Sequence, residues 1–231
     1  MELLTVLREK SPELKAVEVA VCPAYVHLLL ASDRLQDTGL AWGAQDVSVH
    51  KAGAHTGDID AGMLKDLGCR YVIVGHSERR IDHAETNNNV AEKFRRVIEA
   101  GLQPVLCIGE TLAQREQGLT LDVVKEQLQA VLELNKDLAL KEVVIAYEPL
   151  WAIGTGKTAS ATQAQEVHAF IRRILEARQL QSRIVYGGSV NAENAKELFA
   201  QKDIDGGLIG GASLQAESFI GICKAAAQKT I

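Results

Sequence analysis

The sequence has few aromatic residues, few prolines and no paired cysteines. Phe, Trp and Tyr make up 4% of the chain, which has 4 prolines and 4 cysteines. The cysteines, Cys22, Cys69, Cys107 and Cys223, lie far apart, without the CxxC spacing of zinc or redox sites. Three of them adjoin apolar runs, so we expect reduced, buried thiols in a cytoplasmic protein. Cys107, within VLCIGE, is predicted to be a small buried hydrophobic residue rather than a nucleophile.

Long apolar runs and basic clusters are also missing. No apolar stretch approaches the roughly 18 residues that a membrane helix needs. The N-terminal segment MELLTVLREK carries a charge every few residues, which is not the pattern of a signal peptide. The formal net charge is −5, and no Lys/Arg cluster could track a phosphate backbone. We therefore expect a globular cytoplasmic protein that binds neither membranes nor nucleic acid.

What the sequence does contain is a regular alternation of strand-like and helix-like segments. Its 231 residues, 47% of them hydrophobic, suffice for one large core. Short apolar runs predict seven strands, which begin near Val17, Leu40, Tyr71, Pro104, Val143, Arg183 and Gly206. Helical patterns are predicted at residues 2–10, 25–35, 61–67, 84–100, 120–134, 161–178, 191–200 and 213–228. This alternation predicts parallel strands joined by right-handed crossovers.

The order of these segments predicts the fold class. Seven strand–helix units preceded by a helix are typical of an α/β protein with an eight-fold parallel (β/α)8 barrel that lacks its opening strand. We therefore expect residues 1–231 to form a single barrel domain that is truncated at its N-terminus. The alternative is a seven-stranded open sheet, which has the same strand count.

One stretch, VVIAYEPLWAIGTGKT at residues 143–158, combines a buried strand with a carboxylate and a glycine-punctuated loop. Glu148 stands at the end of the strand, and Pro149 prevents the strand from continuing because it has no N–H to donate. An acid delivered to a strand tip ahead of such a loop indicates a catalytic base under a lid. The alternative is an ordinary strand–helix connection with an exposed glutamate.

Further polar residues follow other strands. His76 and Glu78 come directly after the strand predicted at 70–75, and the carboxyl ends of strands form the active face of a parallel barrel. A single histidine in this position is more often structural. A histidine and a glutamate that reach the same rim from two strands favour a catalytic site instead.

Two pairs of glycines end the last two predicted strands, at Gly187-Gly188 and Gly210-Gly211. Glycine lets backbone N–H groups approach an anion closely, and barrel phosphate sites are often built from these two loops. Glycines that merely permit tight turns are the alternative. Two adjacent pairs favour a phosphate site, which would let an acidic protein bind an anionic substrate.

Six motifs resemble those of triosephosphate isomerases, in order and spacing, across essentially the whole chain. They are GAHTGD (53–58), YVIVGHSERR (71–80), PVLCIGET (104–111), AYEPLWAIGTGKT (146–158), YGGSVN (186–191) and LIGGASL (208–214). The resemblance implies a TIM barrel and a cytoplasmic enzyme of glycolysis and gluconeogenesis, with no cofactor and no metal. Such an enzyme interconverts dihydroxyacetone phosphate and D-glyceraldehyde 3-phosphate by base-catalysed proton transfer through an enediolate.

The resemblance also implies a role for each matching residue. Glu148 corresponds to the base that moves the proton, and His76 to the neutral imidazole that polarises the carbonyl, a pairing for which this family is itself the reference case. Ser77 and Glu78 would support the site. Four backbone N–H groups would hold the substrate phosphate, those of Gly154, Ser189, Gly210 and Gly211.

A closing lid and an intersubunit loop are implied as well. The lid consists of Pro149, Leu150, Trp151, Ala152, Ile153, Gly154, Thr155, Gly156 and Lys157. Its closure keeps water away from the reactive intermediate, with Ile153 over Glu148. The loop at 45–58, with Thr56 at its tip, would reach into a second copy of the chain in a homodimer.

The sequence departs from the family at its start. The family opens with a strand that ends in an asparagine and a lysine, as in NWKMNG, and this chain has no such segment. Lys10 and Lys15 fall in a predicted helix and turn, so neither can take that role. Loss of an oriented cation of this kind commonly costs about 2.7–4 kcal/mol of transition-state stabilisation. We therefore expect the chain as written to be nearly inactive.

Three explanations of the departure are open. The chain is a fragment of a complete protein, which we favour, or a natural short form with a substitute strand, or a catalytically silent relative that binds phosphate. A further alternative is another phosphate-handling barrel enzyme. The intact lid motif and the HSERR segment argue against that last possibility.

Overall fold

Seven parallel strands form one sheet whose spatial order is their order in the chain. In the computed structural model, which describes residues 2–140, 143–153 and 158–229, every neighbouring pair of strands is parallel. The strands are β1 (Ala20–Val21), β2 (Ala41–Ala44), β3 (Tyr71–Val74), β4 (Gln103–Ile108), β5 (Val144–Tyr147), β6 (Arg183–Tyr186) and β7 (Gly206–Gly207). The predicted parallel α/β arrangement is confirmed.

Helices alternate with these strands. They are α1 (Glu2–Lys10), α2 (Leu28–Leu35), α3 (Ala61–Asp66), α4 (Ser77–Asp82), α5 (Asn87–Glu99), α6 (Leu112–Glu116), α7 (Thr120–Leu134), α8 (Ala161–Ala177), α9 (Ala195–Phe199) and α10 (Ala216–Ala227). Capping boxes at Thr86, Thr111 and Ser160 fix where α5, α6 and α8 begin, because each side chain accepts a backbone N–H of the first turn.

The sheet is curled, because residues near its two ends meet. Glu18 lies two residues before β1 and Arg183 begins β6, yet Arg183 Nη1 donates to Glu18 Oε2 at 2.6 Å. In a flat sheet, five strand spacings would separate β1 from β6 by about 24 Å. The hydroxyl of Tyr71, at the start of β3, also donates to Glu18. These contacts exclude the open-sheet alternative and confirm the barrel fold.

Two layers of apolar side chains hold this barrel together. The inner layer comes from alternate positions of successive strands: Tyr71, Ile73, Val105, Cys107, Val144 and Ala146. The intervening positions point outward and join the buried faces of α5, α7 and α8 in a larger core. Cys107 is fully buried within the inner layer, as predicted.

β1 and β7 are the two edges of the sheet, and within the described residues neither pairs with another strand. Outside this gap α1 packs against both α2 and α10, through a core that includes Leu7, Leu35 and Phe219. The helical layer is therefore continuous where the sheet is not. A cavity of about 1780 Å³ extends from the gap to the carboxyl ends of the strands.

Several predicted boundaries are wrong. The first and last strands, predicted at 17–22 and 206–209, have only two residues each. The helix predicted at 191–200 shortens to Ala195–Phe199, because the Asn191 side chain accepts the N–H groups of Glu193 and Asn194 and forms a turn instead. Two short helices, α4 after β3 and α6 after β4, were not predicted.

Candidate active site

Glu148 is a carboxylate buried at the carboxyl end of β5, where it is 1% exposed. Its Oε2 accepts a hydrogen bond from the backbone N–H of Ser77 at 2.9 Å, and its Oε1 has no hydrogen-bond donor among the described residues. Burial raises the pKa of Glu148 above its ordinary value, although the nearby His76 and the Ser77 N–H oppose that effect. A carboxylate with a raised pKa and one unbonded oxygen is suited to take a proton and to return it.

His76 faces this unbonded oxygen. Its Nε2 lies 3.1 Å from Glu148 Oε1, although the ring N–H is not aligned for a hydrogen bond. On the other side of the ring, Nδ1 accepts the backbone N–H of Glu78 at 3.3 Å. A nitrogen that accepts carries no proton, so the ring proton of the neutral imidazole lies on Nε2 and faces the site. The start of α4 thereby fixes the tautomer in which Nε2 carries the donor, beside the cavity that His76 borders.

Ser77 and Glu78 serve the pair through their backbone. Ser77 is buried, and its contact with Glu148 is made by its N–H. The Glu78 side chain is 75% exposed, and its Oε2 lies 3.7 Å from His76 Nδ1. The structure therefore brings both residues to the predicted place, with the contribution of Glu78 coming from its N–H rather than from a buried carboxylate.

Two glycines let Glu148 lie this close to its neighbouring strands. A Cβ on Gly109, after β4, would lie 1.7 Å from the carbonyl oxygen of Glu148. A Cβ on Gly187, after β6, would lie 2.8 Å from Glu148 Cγ. Gly109 therefore makes room for the backbone of Glu148, and Gly187 makes room for its side chain.

Gly210 and Gly211 line the cavity that His76 and Glu148 also border. Neither N–H donates to an acceptor within the described residues, and a Cβ on either glycine would meet open space. The carbonyl oxygen of Gly210 accepts the N–H of Ser213 at 2.8 Å, so the pair forms a turn, and its two unbonded N–H groups are donors that an anion could accept.

Ser189 borders the same cavity but is engaged elsewhere. Its N–H donates to the carbonyl oxygen of Ala152 at 3.0 Å, and its hydroxyl donates to the same oxygen at 2.7 Å. Ala152 belongs to a 3₁₀ helix, Leu150–Ala152, at the start of the predicted lid. The remaining lid positions predicted after Ile153, namely Gly154, Thr155, Gly156 and Lys157, lie outside the described residues, as does the predicted phosphate contact of Gly154.

Glu110 is a buried carboxylate that the sequence analysis did not single out. It follows β4, is 0% exposed, and accepts hydrogen bonds from the Tyr147 hydroxyl at 3.1 Å and from Trp151 Nε1 at 3.0 Å. It therefore ties the last residue of β5 to the first turn of the lid. A carboxylate after a strand, on the rim that carries His76, was the signal that could have identified it.

Thr56 does not border the cavity. Residues 51–58 are exposed, and within this loop the His55 ring stacks on His50 with centroids 3.9 Å apart. Over the described residues, no three His, Cys, Asp or Glu side chains lie close enough together to hold a metal ion. In the same part of the chain, no helix has both the length and the apolarity to cross a membrane.

The barrel and this carboxylate–imidazole pair define an α/β-barrel enzyme with its reactive groups on the carboxyl side of the strands. A family model described as triosephosphate isomerase matches residues 1–226. The chain is 55% identical over 229 residues to the triosephosphate isomerase of Nitrosomonas eutropha, which covers 97% of this chain and 91% of the relative. It is 57% identical over 213 residues to that of Dechloromonas aromatica, with 90% and 86% covered.

The chain belongs to the triosephosphate isomerase family. The resemblance predicted from the six motifs is thereby confirmed, and with it an enzyme of the isomerase class. The comparisons give no support to the alternative of a silent phosphate-binding relative.

Proposed function

We propose that this chain interconverts dihydroxyacetone phosphate and D-glyceraldehyde 3-phosphate, as the names of its relatives indicate. One observation carries the assignment of roles: the buried Glu148 carries an unbonded Oε1 that lies 3.1 Å from His76 Nε2. Both side chains border the cavity that reaches the free N–H groups of Gly210 and Gly211. A base, a hydrogen-bond donor and an anion cradle therefore share one space.

In the proposed reaction Glu148 begins as a carboxylate. It takes a proton from the carbon beside the substrate carbonyl, and the electrons of that C–H bond form the carbon–carbon double bond of an enediolate. Negative charge moves to the former carbonyl oxygen, which accepts a hydrogen bond from His76 Nε2 as the charge develops. Protonated Glu148 then returns the proton to the neighbouring carbon. Transfer of the remaining hydroxyl proton between the two oxygens completes the isomerisation without gain or loss of atoms.

The substrate phosphate is proposed to bind at Gly210, Gly211 and Ser189. Backbone N–H groups bind an anion without added cationic side chains, which suits a chain of net charge −5. The N–H of Ser189 must exchange the carbonyl oxygen of Ala152 for a phosphate oxygen. Phosphate binding and the contact of the lid segment with Ser189 therefore compete for one donor, which links substrate arrival to lid movement.

Among the described residues, no lysine lies within hydrogen-bond or ion-pair distance of His76 or Glu148. His76 is therefore the donor that we propose for the developing negative charge, where an oriented donor is worth about 2.7–4 kcal/mol, or roughly 10²–10³ in rate.

A cytoplasmic homodimer is the assembly that we propose, with residues 1–231 as one domain. Its support is the exposed loop at 51–58 together with exposed apolar side chains, of which the most exposed among the described residues are Val26 at 84%, Leu214 at 73%, Leu29 at 70% and Ile81 at 67%. Large exposed apolar patches are typical of association sites. Light scattering of the purified chain tests this proposal, and Thr56→Arg, which places a charge at the loop tip, is expected to shift the mass from dimer to monomer.

Turnover of the purified chain with each triose phosphate, followed by consumption of the product in a coupled assay, tests the proposed reaction. We expect a rate above that of buffer in both directions. Calorimetry with a phosphate-bearing substrate analogue distinguishes the isomerase from a silent binder. Binding of the analogue without any turnover would support the silent binder and contradict the proposal.

A further inference from the structure

Arg80 is a partly buried arginine whose guanidinium is surrounded by neutral acceptors. Its Nε donates to the carbonyl oxygen of Gly75 at 2.8 Å, its Nη1 to Asn87 Oδ1 at 2.8 Å, and its Nη2 to the carbonyl oxygen of Cys107 at 3.3 Å. Within the described residues, no carboxylate forms an ion pair with it. An arginine remains protonated even where burial disfavours the charge, so this positive charge is not neutralised by a bonded partner.

The charge lies beneath the two strand ends that carry the reactive pair. Gly75 directly precedes His76, and a Cβ on Gly75 would lie 3.0 Å from Arg80 Nη2. Cys107 belongs to β4 and pairs with Ala146 of β5, the strand that ends at Glu148. The guanidinium therefore bridges the backbone that supports His76 to the strand that neighbours Glu148.

Among the described residues, few charged groups lie near Glu148 and Arg80. Glu148 is faced by His76 and by the thiol of Cys107, and Arg80 is influenced by Cys107, Glu148 and Glu85. Glu85 is already compensated, because Arg79 Nε donates to it at 2.6 Å and Lys93 Nζ at 2.5 Å. Of these two carboxylates, Glu148 is the one that no arginine or lysine contacts among the described residues.

We propose that Arg80 is a positioning residue whose uncompensated charge favours the carboxylate form of Glu148 and the negative charge that develops on the substrate oxygen. The effect on the substrate oxygen rests on the isomerase reaction proposed above, whereas the effect on Glu148 concerns the resting protein alone. A merely structural role, in which the guanidinium only clamps β3 to β4, would depend on the three hydrogen bonds and not on the net charge.

Asn87→Asp separates these two roles. The new carboxylate would replace the amide oxygen that Nη1 already contacts at 2.8 Å, so the three hydrogen bonds of Arg80 stay while its charge is neutralised. The long hydrogen bond of 3.4 Å from Asn87 Nδ2 to Glu126 Oε1, at the exposed side of the residue, is lost. Asn87 is the first residue of α5, and a negative charge at a helix N-terminus is favourable, so the variant is expected to fold. Asn88→Asp is the matched control, because it adds the same charge at the neighbouring exposed position.

The pKa of Glu148 is the quantity to measure, by ¹³C NMR of labelled glutamate carboxyls, with the signal assigned by its loss in Glu148→Gln. Neutralising Arg80 is expected to raise this pKa by about half a unit or more, because a nearby positive charge favours the carboxylate. Asn88→Asp is expected to leave it within about 0.2 units of the parent. Equal pKa values in the two variants would overturn the inference.

The acid limb of the pH profile of kcat/KM reports the pKa of Glu148 during turnover. This limb is expected to move to higher pH in Asn87→Asp. Arg80→Met should move the limb in the same direction and lower kcat more than it changes KM. A parent chain without turnover would refute the proposed function while leaving the NMR comparison decisive for Arg80. An unshifted limb in an active Asn87→Asp variant would refute the inference while leaving the function intact.

Discussion

The backbone N–H of Ser77 donates to Glu148 Oε2 at 2.9 Å, which fixes one oxygen of the carboxylate against the start of α4. The other oxygen is left facing His76 Nε2. One segment, His76-Ser77-Glu78, thus supplies the imidazole, sets its tautomer and anchors the proposed base. The division of the carboxylate into an anchored oxygen and an unbonded one leads to the first prediction.

Glu148→Gln keeps the size of the side chain and removes the base. Because the amide cannot accept the carbon-bound proton, we expect kcat to fall by about 10²–10⁴ with little change in KM. Steady-state kinetics in the coupled assay measure both constants. Glu133→Gln, at a surface carboxylate that pairs with Arg178, is the control and should retain the parent kcat. A Glu148→Gln variant with most of the parent kcat would show that another group is the base.

Gly211→Ala tests the anion cradle. The added methyl group would meet no protein atom within 4 Å, so the melting temperature is expected to stay close to that of the parent. The same methyl group would crowd an anion at the exposed N–H. We therefore expect several-fold weaker inhibition by inorganic phosphate and a higher KM. Unchanged phosphate inhibition in a folded variant would favour the tight-turn interpretation of the Gly210-Gly211 pair.

His168 should make the stability of the fold depend on pH. The ring is fully buried among Tyr147 and Tyr186, and burial lowers its pKa from 6.5 to about 4. Between these two values the unfolded chain binds a proton that the folded chain does not. The free energy of unfolding therefore falls as pH decreases through this window, by about 2–3 kcal/mol between pH 7 and pH 4.5.

Urea denaturation at pH 7 and at pH 4.5 measures this effect, with His168→Gln as the comparison. The glutamine variant is expected to be less stable at pH 7, because packing around the ring is lost, but to lose less stability on acidification. An equal loss in both proteins would assign the pH dependence to other groups.

Lys93 should be strongly stabilising although it is a charged residue. Its ammonium group is buried and contacts Asp46 Oδ1 at 2.7 Å and Glu85 Oε1 at 2.5 Å. Lys93→Met would leave these carboxylates without that partner, which costs about 3–5 kcal/mol for a buried pair. Chemical denaturation measures the loss, and adding Glu85→Gln to Lys93→Met is expected to recover part of it. A loss below about 1 kcal/mol would mean that solvent reaches the cluster.

Much of the fold could be predicted because the sequence periodicity is strong where burial is complete. The helix at 120–134 and the start of the strand at Arg183 agree with the structure to the residue. β1 and β7 were predicted too long, because apolar residues that line the gap have the same pattern as residues that pair. The short helices α4 and α6 carry too few residues for a helical period to show.

The residues of the site also differ in whether the sequence could predict them. Glu148 and His76 could be identified because each follows a buried strand, where a polar residue stands out. The environments of Arg80 and Glu110 could not, because their partners lie 5 to 41 residues away in the chain and only the folded backbone brings them together. The hydrogen bond from Ser189 to Ala152 likewise depends on the tertiary structure, and no local sequence pattern predicts it.

The contact of Arg183 with Glu18 joins positions 165 residues apart. A bond of that span forms only after nearly every intervening unit has reached its place, because loop closure of this length must be accomplished before the contact can contribute. The contact between Arg183 and Glu18 therefore forms in the last stage of folding. Its loss is expected to shorten the lifetime of the native protein and to leave the refolding rate almost unchanged.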